Sequence, residues 1–391
     1  MIVVNRGITR EMQEFTTFPW GGVVTGTELP LGCQKCVRGE KLVVFLTGYC
    51  NANCFYCPIS LEKKNKDIFQ ANERKITVLD DIIDETRLCS ATSASFTGGD
   101  PFLDVNRMLS VGELLKSYLD DFHIHVYTTG RNCTVEALEK TSSIIDELRF
   151  HPITREDFLG LQKAIDLVTS SGWTVGLEVP SLRDFHNRPV FKQSIELLSE
   201  SINVSNNAAF ININELEFSE TNYRQLLKQG YGAKKGSDAV VEGSELSALT
   251  ALKKLHQEYP EINVHYCPVA TKDSVQLPNR LLRRAKNIAL PSDLIVDDGA
   301  HKGLLIRGVI KFEADSDMDD IIGFRELLIE EFGIPKKMIT VDHNRKQILT
   351  VPEFLEENSE EIKELTGMNL LIGMVEEYPT YDRLETSFIE F

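Results

Sequence analysis

No apolar run in this 391-residue chain approaches the roughly 20 residues that a membrane-spanning helix needs. Only four apolar residues precede Asn5 and Arg6, too few for the apolar core of a secretion signal. The expectation is a soluble, cytoplasmic protein with no membrane partner. Thiols stay reduced in that compartment, so the eight cysteines point to metal or catalysis before disulfides. Positive charge is scarce: 42 Lys and Arg stand against 59 Asp and Glu, a net −17. The deficit is concentrated from Val296 onward, with 22 acidic and 10 basic residues. Phosphate contacts dominate nucleic-acid affinity, so RNA is disfavoured as a partner. The exception is "NRLLRRAK", where Arg280, Arg283, Arg284 and Lys286 form a local basic stretch. A solvated helix face is its plainer reading. The glycines of "GYGAKKG" (230–236) do not have phosphate-loop spacing.

What is present is alternation. Strand patterns fall at 41–48, 92–98, 122–128, 144–151, 173–180 and 209–214. Amphipathic stretches lie between them near 75–88, 104–118, 134–142, 155–170 and 188–200. Strands alternating with helices argue for parallel βα units. Six repeats predict a curved (β/α)6 sheet, a partial TIM barrel in the α/β class. A helix (244–258), the short strand "INVHYC" and a basic helix (275–289) close this domain.

Side chains alternate faces along a strand. One face is apolar: Phe122, Ile124 and Val126; Val175, Leu177 and Val179; Ile211 and Ile213. It is expected to pack on the helices. The other face carries Ser95, His123, His125, Glu147, Arg149, Glu178, Asn212 and Asn214. Closed eight-stranded barrels fill their interior with bulky branched residues, and this face is too polar for that. Leaving such groups buried and unpaired costs about 1–3 kcal/mol each. A lumen that takes water and polar ligands resolves the conflict.

From about residue 300 the pattern becomes β-α-β-β-α-β, the ferredoxin-like order of a small α+β domain. It lacks the aromatic signature of an RNA-binding sheet. The expected domains are 1–40, an extension with a C-x2-C pair; 41–292, the barrel and its closing segment; and 296–391, the acidic ferredoxin-like domain.

Three cysteines, Cys50, Cys54 and Cys57, follow the first strand in "CNANCFYC". That places them on a βα loop at the edge where α/β barrels carry their chemistry. Three thiolates suit an iron–sulfur cluster with one iron left open. A structural zinc site usually takes four protein ligands. A further pair, Cys33 and Cys36 in "GCQKC", and Cys267, with His265 two residues before it, have metal-ligand spacing as well. A second [4Fe–4S] cluster, zinc with His265 as the fourth ligand, and three unrelated small residues all stay open there. Cys89 and Cys133 read as buried fillers.

With these residues the chain resembles the radical S-adenosylmethionine (SAM) enzymes, whose signature is C-x3-C-x-aromatic-C after strand one of a (β/α)6 partial barrel. Here it reads Cys50, Cys54, Tyr56 and Cys57. "TGGDP" (97–101) resembles the family's G-G-E-P segment, with Asp100 in place of Glu. "DELRFHP" resembles the D-x-K-H run of glycyl-radical activating enzymes, with Arg149 at the Lys position. As a whole the chain is similar to an archaeal-type branch related to pyruvate formate-lyase activating enzymes and tRNA wybutosine synthases. The resemblance implies a [4Fe–4S] cluster on Cys50, Cys54 and Cys57, and SAM on the open iron. It implies Tyr56 against the adenine, and Gly98, Gly99 and Asp100 at the SAM amino group. It makes Arg149 and His151 candidates for the SAM carboxylate and ribose. An electron donor such as ferredoxin or flavodoxin would feed the cluster, SAM would be cleaved, and hydrogen would leave an unidentified substrate. A tRNA-modifying enzyme and an electron-transfer protein without SAM chemistry are the alternatives.

Overall fold

The computed structural model describes residues 15–205 and 209–391, so the first 14 residues of the expected extension lie outside the described residues. The chain divides into two compact units. One holds residues up to Arg87 with Ala91–Gln276; the other holds Leu88–Ser90 with Leu277–Phe391. The division falls ahead of the 292/296 boundary, so the basic helix expected to close the barrel groups with the second unit. Among the described residues no helix is long and apolar enough to cross a membrane.

The first unit is an α/β fold around a parallel sheet. Its parallel strands are β1 (Lys41–Thr47), β2 (Ser93–Gly98), β3 (His123–Thr128), β4 (Glu147–Phe150), β5 (Thr174–Pro180), β6 (Ala209–Asn214) and β7 (Asn263–Cys267). They lie side by side in chain order. The sheet therefore gains a seventh parallel strand beyond the six βα repeats. It is bounded by antiparallel pieces, Val23–Val24 on β7 and Gln70–Ala71 on β1. The helices are α1 (Leu31–Val37), α2 (Asp80–Leu88), α3 (Val105–Tyr118), α4 (Val135–Thr141), α5 (Arg155–Ser171), α6 (Pro189–Ser205) and α7 (Ser244–Glu258). Local chemistry sets their ends. Thr154 and Asp157 form a reciprocal capping box at the start of α5. Gly172 ends it with φ 74°, a left-handed cap open to glycine at little cost.

The face assignment holds. Phe122, Ile124, Val126, Leu177, Ile211 and Ile213 are buried. So are the polar Ser93, Ser95, His125, Glu147, Arg149 and Asn212 of the opposite face. Both faces are thus covered, as parallel strands require. The cover on the polar side comes partly from α1. Lys35 reaches Thr92 at the start of β2 (2.8 Å), and the Gly32 N–H donates to Glu147 at the start of β4 (3.2 Å). The chain thus runs from Val23–Val24 at the β7 edge, through α1 inside the sheet, to β1 at the other end.

The second unit begins with α8 (Leu277–Ile288). It continues β8 (Leu305–Lys311), α9 (Met318–Phe332), β9 (Thr340–Asp342), β10 (Gln347–Thr350), α10 (Pro352–Glu364), β11 (Leu371–Glu377) and β12 (Glu385–Glu390). The sheet order is β9-β10-β8-β11-β12, all antiparallel. β12 was not expected. Ile321, Phe324 and Leu328 of α9 and Leu355 and Ile362 of α10 share a core with Ile310, Ile348 and Ile372 of the strands. Glu377 is buried and answered by Arg307 (2.5 Å), Arg345 (3.0 Å) and Arg383 (3.0 Å). In the basic helix α8, Arg283 donates to the Cys89 and Ser90 carbonyls, and Arg284 is buried. Half of the basic stretch is therefore committed to this unit.

Candidate active site

Because the seven strands are parallel, their C-terminal ends share one edge. The loop after β1 brings Cys50, Cys54 and Cys57 there, all free and half-buried. The turn after β2 holds that loop at close range. The Gly99 N–H donates to the Thr47 carbonyl (2.7 Å) and the Asp100 N–H to the Tyr49 carbonyl (2.9 Å). A Cβ on Gly99 would lie 1.9 Å from the Tyr49 oxygen, and one on Gly98, at φ 128°, 2.2 Å from the Thr47 oxygen. Only glycine permits this approach of two backbones.

Three side chains secure the loop from other directions. Asn222 donates to the Tyr56 carbonyl (3.0 Å), Thr221 to the Cys57 carbonyl (3.0 Å) and Arg131 to the Asn51 carbonyl (2.9 Å). None was singled out as a site residue. Asn222 and Thr221 lie in "ELEFSETN", just past the end of β6. Nothing local marks Arg131.

The cysteine loop opens on a cavity of about 610 Å³. Cys50, Cys54 and Cys57 line it, and so do Cys33, Cys36 and Cys267. All six cysteines with ligand spacing thus face one space. Cys89 and Cys133 are buried elsewhere, as fillers. Burial pushes the Cys54 thiol up to about 11 and also raises Cys50. Cys50 and Cys54 are therefore protonated at neutral pH until a metal displaces the protons. Among the described residues no three Cys, His, Asp or Glu converge on a single ion. In an iron–sulfur cluster each thiolate meets a different iron, so its ligands need not converge on one point.

Tyr56, Gly98, Gly99, Arg149 and His151 also line the cavity. His151 Nδ1 lies 3.2 Å from the Glu178 carbonyl, which can only accept. Its Nδ1 therefore carries the proton, and Nε2 accepts from the Tyr56 hydroxyl at 2.5 Å. Burial lowers the His151 pKa to about 4, so the ring is neutral.

Two of the expected site residues are already engaged by protein partners. Asp100 does not line the cavity; it stands behind Thr128 and Thr129, which do. It is 1% exposed, and its carboxylate accepts from the Phe102 N–H (3.1 Å), Thr128 (3.0 Å), Thr129 (3.0 Å) and Asn132 (3.2 Å). The three side-chain bonds tie the residue that follows the Gly98–Gly99 turn to the end of β3 and the segment after it. Arg149 lines the cavity, but its guanidinium is engaged. It pairs with Glu147, with Glu178 (2.9 Å) and with the Cys33 sulfur (3.3 Å), between the rings of Tyr127 and Phe210. A free SAM carboxylate would have to displace one of these partners.

Residues 37–151 match a family model described as a "4Fe-4S single cluster domain". Residues 303–390 match "Domain of unknown function (DUF8061)". The chain is similar to the "Putative glycyl-radical enzyme activating enzyme MJ0021" of Methanocaldococcus jannaschii. The two are 37% identical over 371 residues, covering 93% of this chain and 92% of the relative. Among solved structures it is similar to the radical SAM methyltransferase TsrM of Kitasatospora setae, which has cobalamin and a [4Fe-4S] cluster bound. That match has 10% identity and a TM-score of 0.31, over 49% of this chain and 37% of that one. A second is methylornithine synthase (PylB), at 13% identity and TM-score 0.32, over 57% of this chain and 67% of that one.

Proposed function

The chain belongs to the radical SAM superfamily, and from that premise we propose which residues do its work. Cys50, Cys54 and Cys57 would hold a [4Fe–4S] cluster at the mouth of the cavity, with SAM beside it. Together these supply the reductive cleavage of SAM, by one electron from a donor such as ferredoxin or flavodoxin, to methionine and a 5′-deoxyadenosyl radical that takes a hydrogen atom from the substrate. The observation that carries the reading is that three free thiols line one cavity, on a loop pinned by a di-glycine turn.

The protein's own part is to bind, orient and exclude water. Tyr56 offers a ring to the adenine, steadied by His151. Gly98 and Gly99 offer backbone to the SAM amino group, and Asp100 keeps that backbone in place. Arg149 fixes Glu178, which holds Asn212 and Asn214 (2.6 Å each) on the cavity wall. This wall is the proposed seat of a polar substrate. The parallel sheet is read as a partial TIM barrel, and the C-terminal unit, from its strand order, as a ferredoxin-like domain. The name of the archaeal relative puts a glycyl-radical enzyme first among substrates. A tRNA draws little support, since Arg283 and Arg284 are committed to packing.

Anaerobically reconstituted, reduced protein should release 5′-deoxyadenosine from SAM, and Cys54→Ala should not. Equal release by the variant would reject the assignment. A cluster that reduces normally but never cleaves SAM would favour electron transfer alone.

A further inference from the structure

A second set of ligands lines the same cavity. Cys33 and Cys36 sit three apart on α1, which puts them on one helix face. His265 and Cys267 sit two apart on β7, which puts them on one strand face. All four border the lumen.

His265 is prepared in a way that packing alone does not require. Glu178, Asn212 and His265 are register partners across β5, β6 and β7. The Glu178 carboxylate can only accept, so it takes the Asn212 Nδ2–H (2.6 Å) and fixes the amide's orientation. The Asn212 oxygen then faces His265 Nδ1, which must be the protonated nitrogen. That leaves Nε2 as a bare lone pair. His265 is 2% exposed, and its Nε2 is buried with no hydrogen-bond partner. An orphaned buried acceptor is costly, about 1–3 kcal/mol. A metal-binding histidine has this arrangement: one nitrogen donates to a polar group that orients the ring, and the other meets the metal.

We propose that Cys33, Cys36 and Cys267, with His265 Nε2, hold a second iron–sulfur cluster in the lumen. Thiolates and an imidazole carried on separate elements can each meet a different iron of one cluster. Soft thiolates with one imidazole are a donor set that iron–sulfur clusters accept. Arg149, against the Cys33 sulfur, gives the negative cluster a fixed cation. Its place on the lumen wall gives it direct access to whatever occupies the cavity, so it would bind the substrate or pass it an electron.

Iron and sulfide counts separate this site from the first one. Full-length protein reconstituted without oxygen should hold about eight irons per chain, two four-iron clusters. The variant Cys50→Ala, Cys54→Ala, Cys57→Ala should keep about four, with an iron–sulfur absorption band and an electron paramagnetic resonance signal on reduction. Changing Cys33, Cys36 and Cys267 to Ala should also leave about four, held by the first site. Adding His265→Gln to the first variant should shift the resonance of the remaining cluster. Wild-type protein with only about four irons would overturn the proposal even if a variant fails to fold. So would a folded first variant that holds no iron, or one equivalent of zinc in its place.

Discussion

Replacing Asp100 by Ala tests whether that carboxylate serves the fold or the ligand. The change removes the acceptor for four donors: the Phe102 N–H, the hydroxyls of Thr128 and Thr129, and the Asn132 amide. The two hydroxyls can rotate toward other acceptors. The Phe102 N–H and the Asn132 amide cannot easily follow, because Asn132 is also held through Asn51 (3.0 Å). The stranded Phe102 N–H is buried and costs about 1–3 kcal/mol, and the half-buried Asn132 amide costs toward the lower end of that range. Burial of the charge is itself unfavourable and raises the Asp100 pKa, so its removal returns part of that loss. The net expectation is a destabilisation of about 2–4 kcal/mol, read as a lower urea midpoint with an unchanged slope. Asp100→Asn keeps one acceptor oxygen and should lose about half as much. SAM affinity, measured by equilibrium dialysis on folded and cluster-loaded protein, should stay within about threefold of wild type. A wild-type urea midpoint with SAM binding weakened roughly 10- to 150-fold, the worth of a charge-assisted hydrogen bond, would refute the reasoning. Asp100 would then meet the SAM ammonium directly.

In Gly99→Ala the new methyl meets the Tyr49 carbonyl oxygen, and neither backbone can yield without moving the cysteine loop. Reconstituted iron should fall by at least the equivalent of the first cluster while circular dichroism stays native; full iron and unaltered SAM binding would mean that the turn has slack. His151 carries the clearest pH signature. Its folded pKa of about 4 lies below the ordinary 6.5, so stability is fully present above pH 6.5 and is lost as pH falls through 4, by about 3 kcal/mol for this residue. Denaturation midpoints of wild type and His151→Gln, compared between pH 7 and pH 4, should show that slope only in the wild type. Parallel slopes would mean that His151 already ionises freely.

The chain's order of elements was legible because it is written in local terms. Period-two alternation in the strands and the apolar stripe of each helix act over a few residues, so the six strands and the helices between them could be read in order before any tertiary contact was known. The cysteine loop was legible too, since its three thiols and the di-glycine turn lie at element ends that parallel strands bring to one edge. Other residues took their roles from partners far along the chain. Arg149 looked like a free cation until Glu178 and the Cys33 sulfur were beside it, 29 and 116 residues away. Asp100 looked like a ligand until Thr128, Thr129 and Asn132 surrounded it. The placement of α1 inside the sheet depended on Lys35 finding Thr92 and Gly32 finding Glu147, contacts that no spacing rule contains. A buried charge is defined by whichever groups desolvate it and answer it, and only the folded chain says which those are.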